Sequence, residues 1–242
     1  MNSTEIYKLV KTYCDQRYGI PSQCVKSDNI FRTPRGYCEN ILMKVNGKLG
    51  GRNRIVELNN IPTSLKNDTI VIGMDVNHPG IGSSVSASIA AAVGSYDANF
   101  CKFSASIKVQ DKNRSEMIDS AGEMVSELID QYKKVNGKFP KTVFLFRDGV
   151  SEGQFDIVAQ KEIPLIRKVL SNLNIKLIFV VVQKRHHVRF VLTHAEQAGK
   201  NLSHNVPAGT VVDHSITEVN QDVFYLNSHF SPLVNYLTLL IV

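Results

Sequence analysis

The sequence is poor in cysteine, and the four cysteines it has lie far apart: Cys14, Cys24, Cys38 and Cys101. No two of them have the Cys-x-x-Cys spacing of a zinc ribbon, which excludes that class of site. A chain of 242 residues can bury a core without disulfides. The scattered cysteines therefore indicate a reducing compartment.

Long apolar runs are also missing. No stretch approaches the roughly 18 apolar residues that a membrane span needs. The opening residues, MNSTEIYKLVKTYC, contain no apolar signal-peptide segment. With 43% hydrophobic and 21% charged residues, the composition is ordinary for a globular protein. The sequence therefore predicts a protein that neither is secreted nor spans a membrane.

The positive charge is concentrated at the N-terminal end. Residues 1–54 hold ten Lys or Arg against four Asp or Glu, and this excess accounts for the whole net charge of +6. A basic segment followed by a neutral body suggests a polyanionic partner such as a nucleic acid. Charge alone leaves open the alternative of a solvated basic surface.

The pattern of apolar residues divides the chain into two parts. In the first, helical spacing predicts helices over 5–19 and 38–48, and the polar stretch 52–67 is the best candidate boundary. In the second, the pattern predicts strands, helices and shorter β segments in this order: strands 69–74, 85–96 and 101–109, helix 114–135, strand 142–146, helix 154–173, strand 177–182, and β segments at 206–216 and 223–227.

This order of elements predicts an α/β fold with a mixed sheet. Three consecutive strands, the last two joined by the turn at 97–99, indicate antiparallel pairing. The later alternation of helices and strands indicates parallel strands covered by helices. The order is that of a ribonuclease H-like fold, and no Gly-rich turn follows the first strand, as a dinucleotide-binding sheet would require.

Two aspartates follow fully apolar strand segments. Asp75 comes after VIGM and Asp148 after VFLFR. If these strands are parallel neighbours, both carboxylates emerge at one edge of the sheet, where divalent cations would relieve their repulsion. Two cations on oxygen ligands are the apparatus of phosphodiester hydrolysis. The alternative for either residue alone is a turn or helix-capping aspartate.

Several longer motifs closely resemble the PIWI domain of Argonaute proteins. They are GMDVNHP at 73–79, FRDGVSEGQF at 146–155, VVVQKRHHVRF at 180–190 and NVPAGTVVD at 205–213. Upstream, the sequence resembles the second half of the Argonaute MID domain at YKLVK (7–11), SQCV (22–25) and NILMKVNGKLGG (40–51). The likeness covers about residues 5–229 and is greater to the Argonaute clade, which binds microRNA and siRNA, than to the Piwi clade.

The resemblance implies a partial MID domain at 1–55, a PIWI domain at 56–229 and a divergent tail at 230–242. It also implies a small-RNA-guided silencing protein that binds a guide RNA and a target RNA, and that is cytoplasmic or nuclear. In the family, paired target RNA is cut with two Mg²⁺ or Mn²⁺ ions. Silencing scaffold proteins rich in tryptophan are a further implied partner.

The resemblance also implies site residues. The metal-binding aspartates fall on Asp75 and Asp148, and a third catalytic acid falls on Glu116. The residues that grip the 5′ phosphate of the guide fall on Tyr7, Lys11, Gln23, Lys44 and Lys48. Guide-backbone contacts fall on Gln183, Lys184, Arg185, Arg189 and His229. From the residues alone, Glu116 could equally be a glutamate of a first helical turn, the lysines could face solvent, and His78 is expected in a turn or packing role.

The chain departs from the family pattern at both ends. It is expected to begin inside the MID domain, and its apolar ending, FSPLVNYLTLLIV, is unlike the family. A fourth catalytic ligand, which the family carries near its C terminus, has no counterpart here. Three other readings therefore stay open: an RNA-binding fragment without catalysis, a protein-interaction module, and a truncated chain that does not fold stably.

Overall fold

The computed structural model describes residues 3–66, 68–80, 87–110, 115–184, 186–190, 206–217, 222–228 and 238–241. The chain folds as two compact units, residues 1–61 and 62–242. None of the helices that the structure describes combines the length and apolarity that crossing a membrane requires.

The first unit consists of short helices joined by irregular segments. Helix α1 (Ser3–Lys11) continues into one wider turn, Thr12–Arg17, so the predicted helix at 5–19 ends as a π-helical turn. Helices α2 (Ser27–Arg32) and α3 (Tyr37–Lys48) follow, and α3 is the helix predicted at 38–48. Among the described side chains of this unit, only Ile61 is buried.

The second unit is built on an eight-stranded mixed sheet. Its strands are β1 (Thr69–Asn77), β2 (Ser88–Ser95), β3 (Phe103–Gln110), β4 (Thr142–Asp148), β5 (Lys176–Gln183), β6 (Thr210–Val212), β7 (Phe224–Asn227) and β8 (Thr238–Ile241). They lie in the order β3-β2-β1-β4-β5-β8-β7-β6. The pairs β1–β2 and β2–β3 are antiparallel, whereas β1–β4 and β4–β5 are parallel. The predicted ribonuclease H-like mixed sheet is confirmed.

Two long helices pack on one face of the sheet. A short helix α4 (Thr63–Lys66) precedes β1, and α5 (Ala121–Asn136) and α6 (Phe155–Ser171) precede β4 and β5. The apolar stripe of α5 recurs at helical spacing and is fully buried. It packs with alternate residues of the strands in one core cluster, including Ile70, Ile72, Val143 and Leu145.

The long helix begins later than its apolar pattern predicts. The apolar pattern predicts a start at Arg114, but α5 begins at Ala121. The backbone N–H of Ile118 donates to the buried Glu162 carboxylate at 2.9 Å, so the chain makes a tertiary contact just before the helix. Glu116 therefore lies in the preceding loop, and the alternative of a first-turn glutamate is wrong.

The tail contributes a strand that its sequence did not predict. Strand β8 pairs antiparallel with both β5 and β7, and Leu240 and Ile241 are buried. The hairpin of β6 and β7 adjoins the rest of the sheet through β8. Part of the segment 230–242 thus belongs to the sheet in the second unit.

Helices α5 and α6 approach closely at Gly122. A Cβ atom added there would lie 2.7 Å from the backbone carbonyl oxygen of Leu165, so only glycine fits at this crossing. This contact brings α6 against the start of α5. Its residue on α6, Leu165, lies one helical turn after Glu162.

Replacing Gly122 with alanine is expected to destabilise the second unit by about 1–3 kcal/mol, because the helices must separate. Urea denaturation followed by circular dichroism measures the loss. Gly153→Ala is the matched control, since a Cβ there meets no atom within 4 Å. Equal denaturation midpoints for the two variants would show that the helix crossing tolerates the extra atom.

Candidate functional site

The two strand-end aspartates lie side by side at one edge of the sheet. Gly73 pairs with Phe146 and Met74 with Arg147, so Asp75 and Asp148 are next in the same parallel register. Because side chains alternate along a strand, both point to the face opposite the buried Met74 and Arg147. The expectation that the two strands are parallel neighbours is confirmed.

A cleft of about 760 Å³ opens at this edge. It contains all three predicted acids, including Glu116 from the loop before α5. The residues lining it are Asp75, Val76, Asn77, His78, Glu116, Asp148, Gly149, Val150, Ser151, Gln154, Gln183 and Lys184. Carboxylates from three separate segments of the chain therefore share one cavity.

The Asp148 carboxylate is engaged at both oxygens. Oδ1 accepts a hydrogen bond from the backbone N–H of Gly149 at 2.9 Å. Oδ2 forms an ion pair with Lys184 Nζ at 2.5 Å. On the neighbouring strand, Asp75 Oδ1 accepts the backbone N–H of Val76 at 2.8 Å. The carboxylates are thus held by local backbone donors and by one lysine.

Glu116 is held by a histidine. His78 Nε2 lies 2.8 Å from Glu116 Oε1, and its Nδ1 lies 2.8 Å from the hydroxyl of the buried Ser88. The imidazole therefore bridges strand β2 and the loop that carries Glu116. The expected turn or packing role of His78 is therefore incomplete, because its ring also contacts and orients the Glu116 carboxylate.

A buried ion pair lies beneath the cleft. Arg147 and Glu162 are 0% and 1% exposed, and Arg147 Nε lies 3.0 Å from Glu162 Oε2. The guanidinium also donates to the backbone carbonyls of Asp148 and Glu116. One side chain therefore ties the end of β4 to the loop of the third acid.

Gly149 makes room for the acids. Its φ is +83°, a conformation that side chains other than glycine rarely adopt. A Cβ added there would lie 3.3 Å from Asp75 Oδ1 and 3.4 Å from Glu116 Oε2. Two of the three carboxylates thus pack against this turn.

The chemistry of the three acids suits a hard divalent cation, since carboxylate oxygens are the ligands that Mg²⁺ and Mn²⁺ prefer. Within the described ranges, however, no three His, Cys, Asp or Glu side chains are arranged as a metal-binding group. The acids share a cleft, and protein donors hold them in the positions seen. The donor set fits in type, and binding an ion would require rearranging its contacts.

A second cleft, of about 910 Å³, lies within the first unit. It contains four of the five residues predicted to bind a phosphate. The residues lining it are Tyr7, Gln23, Tyr37, Asn40, Ile41, Met43, Lys44, Gly47, Lys48 and Asn53. Lys48 Nζ donates to Gln23 Oε1 at 2.7 Å and to the carbonyl of Ser22 at 2.6 Å.

Lys11 does not line that cleft. Its ammonium donates to Asp15 Oδ2 at 2.9 Å and to both the carbonyl and the hydroxyl of Ser22. The hydrogen bond with Asp15 raises the pKa of Lys11, and the same bond lowers the pKa of Asp15. Lys11 therefore stabilises the segment that contains Gln23 through its hydrogen bonds to Ser22.

The remaining predicted backbone contacts are divided. Gln183 and Lys184 line the carboxylate cleft. Arg189 instead donates to the carbonyls of His186 and Val188. Arg185 and His229 lie outside the described residues.

Sequence reasoning missed Arg147, Glu162 and Ser88. A signal for Arg147 was present, because it follows Val143 and Leu145 in the alternation of buried residues on β4. A charge in that register requires a buried partner, but nothing in the sequence singled out Glu162 among the acids.

Comparison with known proteins gives consistent matches. The Piwi domain family model matches residues 1–233. Kluyveromyces polysporus Argonaute with a guide RNA superposes with a TM-score of 0.86 and 30% identity, over 99% of this chain and 30% of that chain. The C-terminal lobe of a budding yeast Argonaute gives 0.86 and 31%, over 99% and 51%.

A more distant match shares the fold. Drosophila Piwi superposes with a TM-score of 0.76 at 20% identity, over 99% of this chain and 31% of that chain. This chain thus spans about a third to a half of the length of these solved structures.

Replacing Glu162 with glutamine is expected to destabilise the second unit by about 3–5 kcal/mol, because it leaves the Arg147 charge buried without a counter-charge. Urea denaturation measures this. The exposed Glu152→Gln is the control and should stay within about 0.5 kcal/mol of the wild type.

The double variant Arg147→Met with Glu162→Leu distinguishes charge from packing. Replacing the whole pair by apolar groups removes the unpaired charge but leaves the Ile118 N–H and the carbonyls of Asp148 and Glu116 without these partners. The double variant should therefore recover only part of the lost stability. A Glu162→Gln protein that denatures like the Glu152→Gln control would contradict the assigned role of the pair.

Proposed function

The chain belongs to the Piwi domain family of Argonaute proteins, and we propose that it binds a small guide RNA through its 5′ phosphate and backbone and uses that guide to find complementary RNA. The observation that carries the proposal is that Tyr7, Gln23, Lys44 and Lys48 line one cleft in the first unit. Sequence choice would rest with the guide, while the protein contacts backbone.

The cleft of the first unit is the proposed site for the 5′ phosphate. Lys44 and Lys48 lie one helical turn apart on α3 and offer ammonium donors to a terminal phosphate. Gln23, already hydrogen-bonded to Lys48, is a further polar contact. The exposed ring of Tyr7 is a stacking surface for the first base.

We further propose that Asp75 and Asp148, with Glu116, hold Mg²⁺ or Mn²⁺ for cleavage of the paired target. When bound, such ions activate a water molecule and stabilise the leaving oxygen of a phosphodiester. In this proposal His78 orients Glu116, Gly149 leaves space between the acids, and Lys184 would contact a phosphate of the RNA; the contacts of His78 and the exposure of Lys184 support these roles.

A second candidate function is guide-dependent RNA binding without cleavage. The observation that favours it is that Glu116 and Asp148 are both held by protein groups, His78 and Lys184, rather than arranged as a metal-binding set. In that case silencing would depend on recruited partners, such as scaffold proteins containing tryptophan.

Cleavage distinguishes these functions. The chain, loaded with a 5′-phosphorylated guide, is incubated with a complementary labelled RNA and Mg²⁺ or Mn²⁺. The enzymatic proposal expects a single cut that depends on metal and falls by at least about 100-fold in Asp148→Asn and Asp75→Asn. Glu152→Gln, a surface change nearby, should cut normally.

If the wild type and Asp148→Asn give the same background while the guide remains bound, the non-catalytic function is supported. A wild-type protein that neither binds the guide nor cuts the target would contradict both proposals.

The 5′-phosphate site is tested by binding alone. The protein should bind a 5′-phosphorylated RNA more tightly than the same RNA with a 5′ hydroxyl. Lys44→Ala should reduce that preference by about tenfold or more, since a charge-assisted hydrogen bond is lost. Lys26→Ala, an exposed lysine outside the cleft, should preserve the preference.

Fluorescence anisotropy at fixed salt measures the affinities of the wild type and both variants for the two RNAs. An equal loss of affinity for both RNAs in Lys44→Ala would show a general backbone contact instead of a phosphate pocket.

A further inference from the structure

Lys184 supplies a cation to the carboxylate that would bind metal. It follows the last residue of β5, and its Nζ lies 2.5 Å from Asp148 Oδ2. The other oxygen of Asp148 accepts the Gly149 N–H. A divalent cation that approaches Oδ2 therefore meets the positive charge of Lys184 Nζ and must compete with it for the carboxylate.

The backbone next to Lys184 is held in the sheet, while the side chain of Lys184 is accessible to solvent. Val182 pairs with Asp148 on β4 and with Ile241 on β8, so the end of β5 is held on both sides. The lysine side chain is 57% exposed and the Asp148 side chain 30% exposed. An ion pair so open to water is weak and is exchanged readily for another partner.

We propose that Lys184 is a removable counter-ion that couples RNA binding to divalent cation binding. Without RNA, its ammonium neutralises Asp148 and competes with the metal. When an RNA phosphate reaches the cleft, the ammonium moves to the phosphate and frees Oδ2. This inference rests on the proposed function, because it assumes that Asp148 binds metal and that RNA passes this cleft.

The coupling follows from simple linkage. A flexible lysine stem can place one charge on either a carboxylate or a phosphate, but not on both at full strength. RNA that draws Lys184 away therefore raises the metal affinity, and metal raises the RNA affinity by the same factor. Lys184 thus opposes metal binding when RNA is absent and stops opposing it when an RNA backbone is present.

The test measures Mn²⁺ affinity with the full chain, by electron paramagnetic resonance of free Mn²⁺ at constant ionic strength. Without RNA, Lys184→Met should bind Mn²⁺ about two- to fivefold more tightly than the wild type, the range expected for losing an exposed competing ion pair. Lys176→Met, at the opposite end of the same strand, removes the same charge and should match the wild type.

The second arm adds a saturating 5′-phosphorylated single-stranded RNA, with Mn²⁺ binding to RNA alone subtracted. The wild-type affinity for Mn²⁺ should rise, and the rise should be smaller by the same two- to fivefold in Lys184→Met. Equal Mn²⁺ affinities of the wild type and Lys184→Met without RNA, or equal rises with RNA, would overturn the proposal.

Asp148→Asn separates this inference from the proposed function. If it binds Mn²⁺ as well as the wild type does, Asp148 is not a metal ligand, and the metal-dependent function fails along with the coupling. If Asp148→Asn loses Mn²⁺ binding while Lys184→Met equals the wild type, only the counter-ion role fails.

Discussion

The ion pair between Arg147 and Glu162 sets the backbone on both sides of the carboxylate edge. Its guanidinium donates to the carbonyls of Asp148 and Glu116, and its carboxylate accepts the N–H of Ile118. Two segments that are far apart in sequence are therefore fixed against one rigid group. Such a pair adds little net stability compared with apolar packing. Its contribution here is positional, because it determines where two of the three acids stand.

Much of this edge could be predicted from local sequence, and the rest depends on contacts between distant segments. The apolar runs before Asp75 and Asp148 indicate buried strands, and their parallel pairing follows from the order of elements. The start of α5 could not be read from its apolar stripe, because the stripe does not show that Ile118 bonds to Glu162. The contact of His78 with Glu116 could not be predicted for the same reason: a residue in a strand-end turn gains this partner only when the loop of Glu116 folds back. The roles assigned to the site residues stay predictions.

The C-terminal segment is a second case in which the local sequence does not predict the structure. The segment NYLTLLIV is apolar without a clear period, and it lies beyond the residues matched by the family model. Its residues Thr238–Ile241 form strand β8, because β5 offers an open edge whose unpaired backbone groups favour another strand. Pairing Gln183 with Leu240 then fixes the end of β5 next to Lys184. An element outside the motif likeness thus helps to position a residue of the cleft.

The contacts of the three acids also indicate that this edge of the sheet can fold without a bound metal ion. Carboxylates gathered at a strand edge repel each other, and a structural metal site resolves this by making the ion part of the fold. Here the protein supplies its own compensation: Lys184 and the Gly149 N–H at Asp148, His78 at Glu116 and the Val76 N–H at Asp75. The edge can therefore form before any cation arrives. It follows that a metal ion in this cleft would serve chemistry rather than architecture, and that its occupancy would depend on whatever draws the protein's own groups away from the acids.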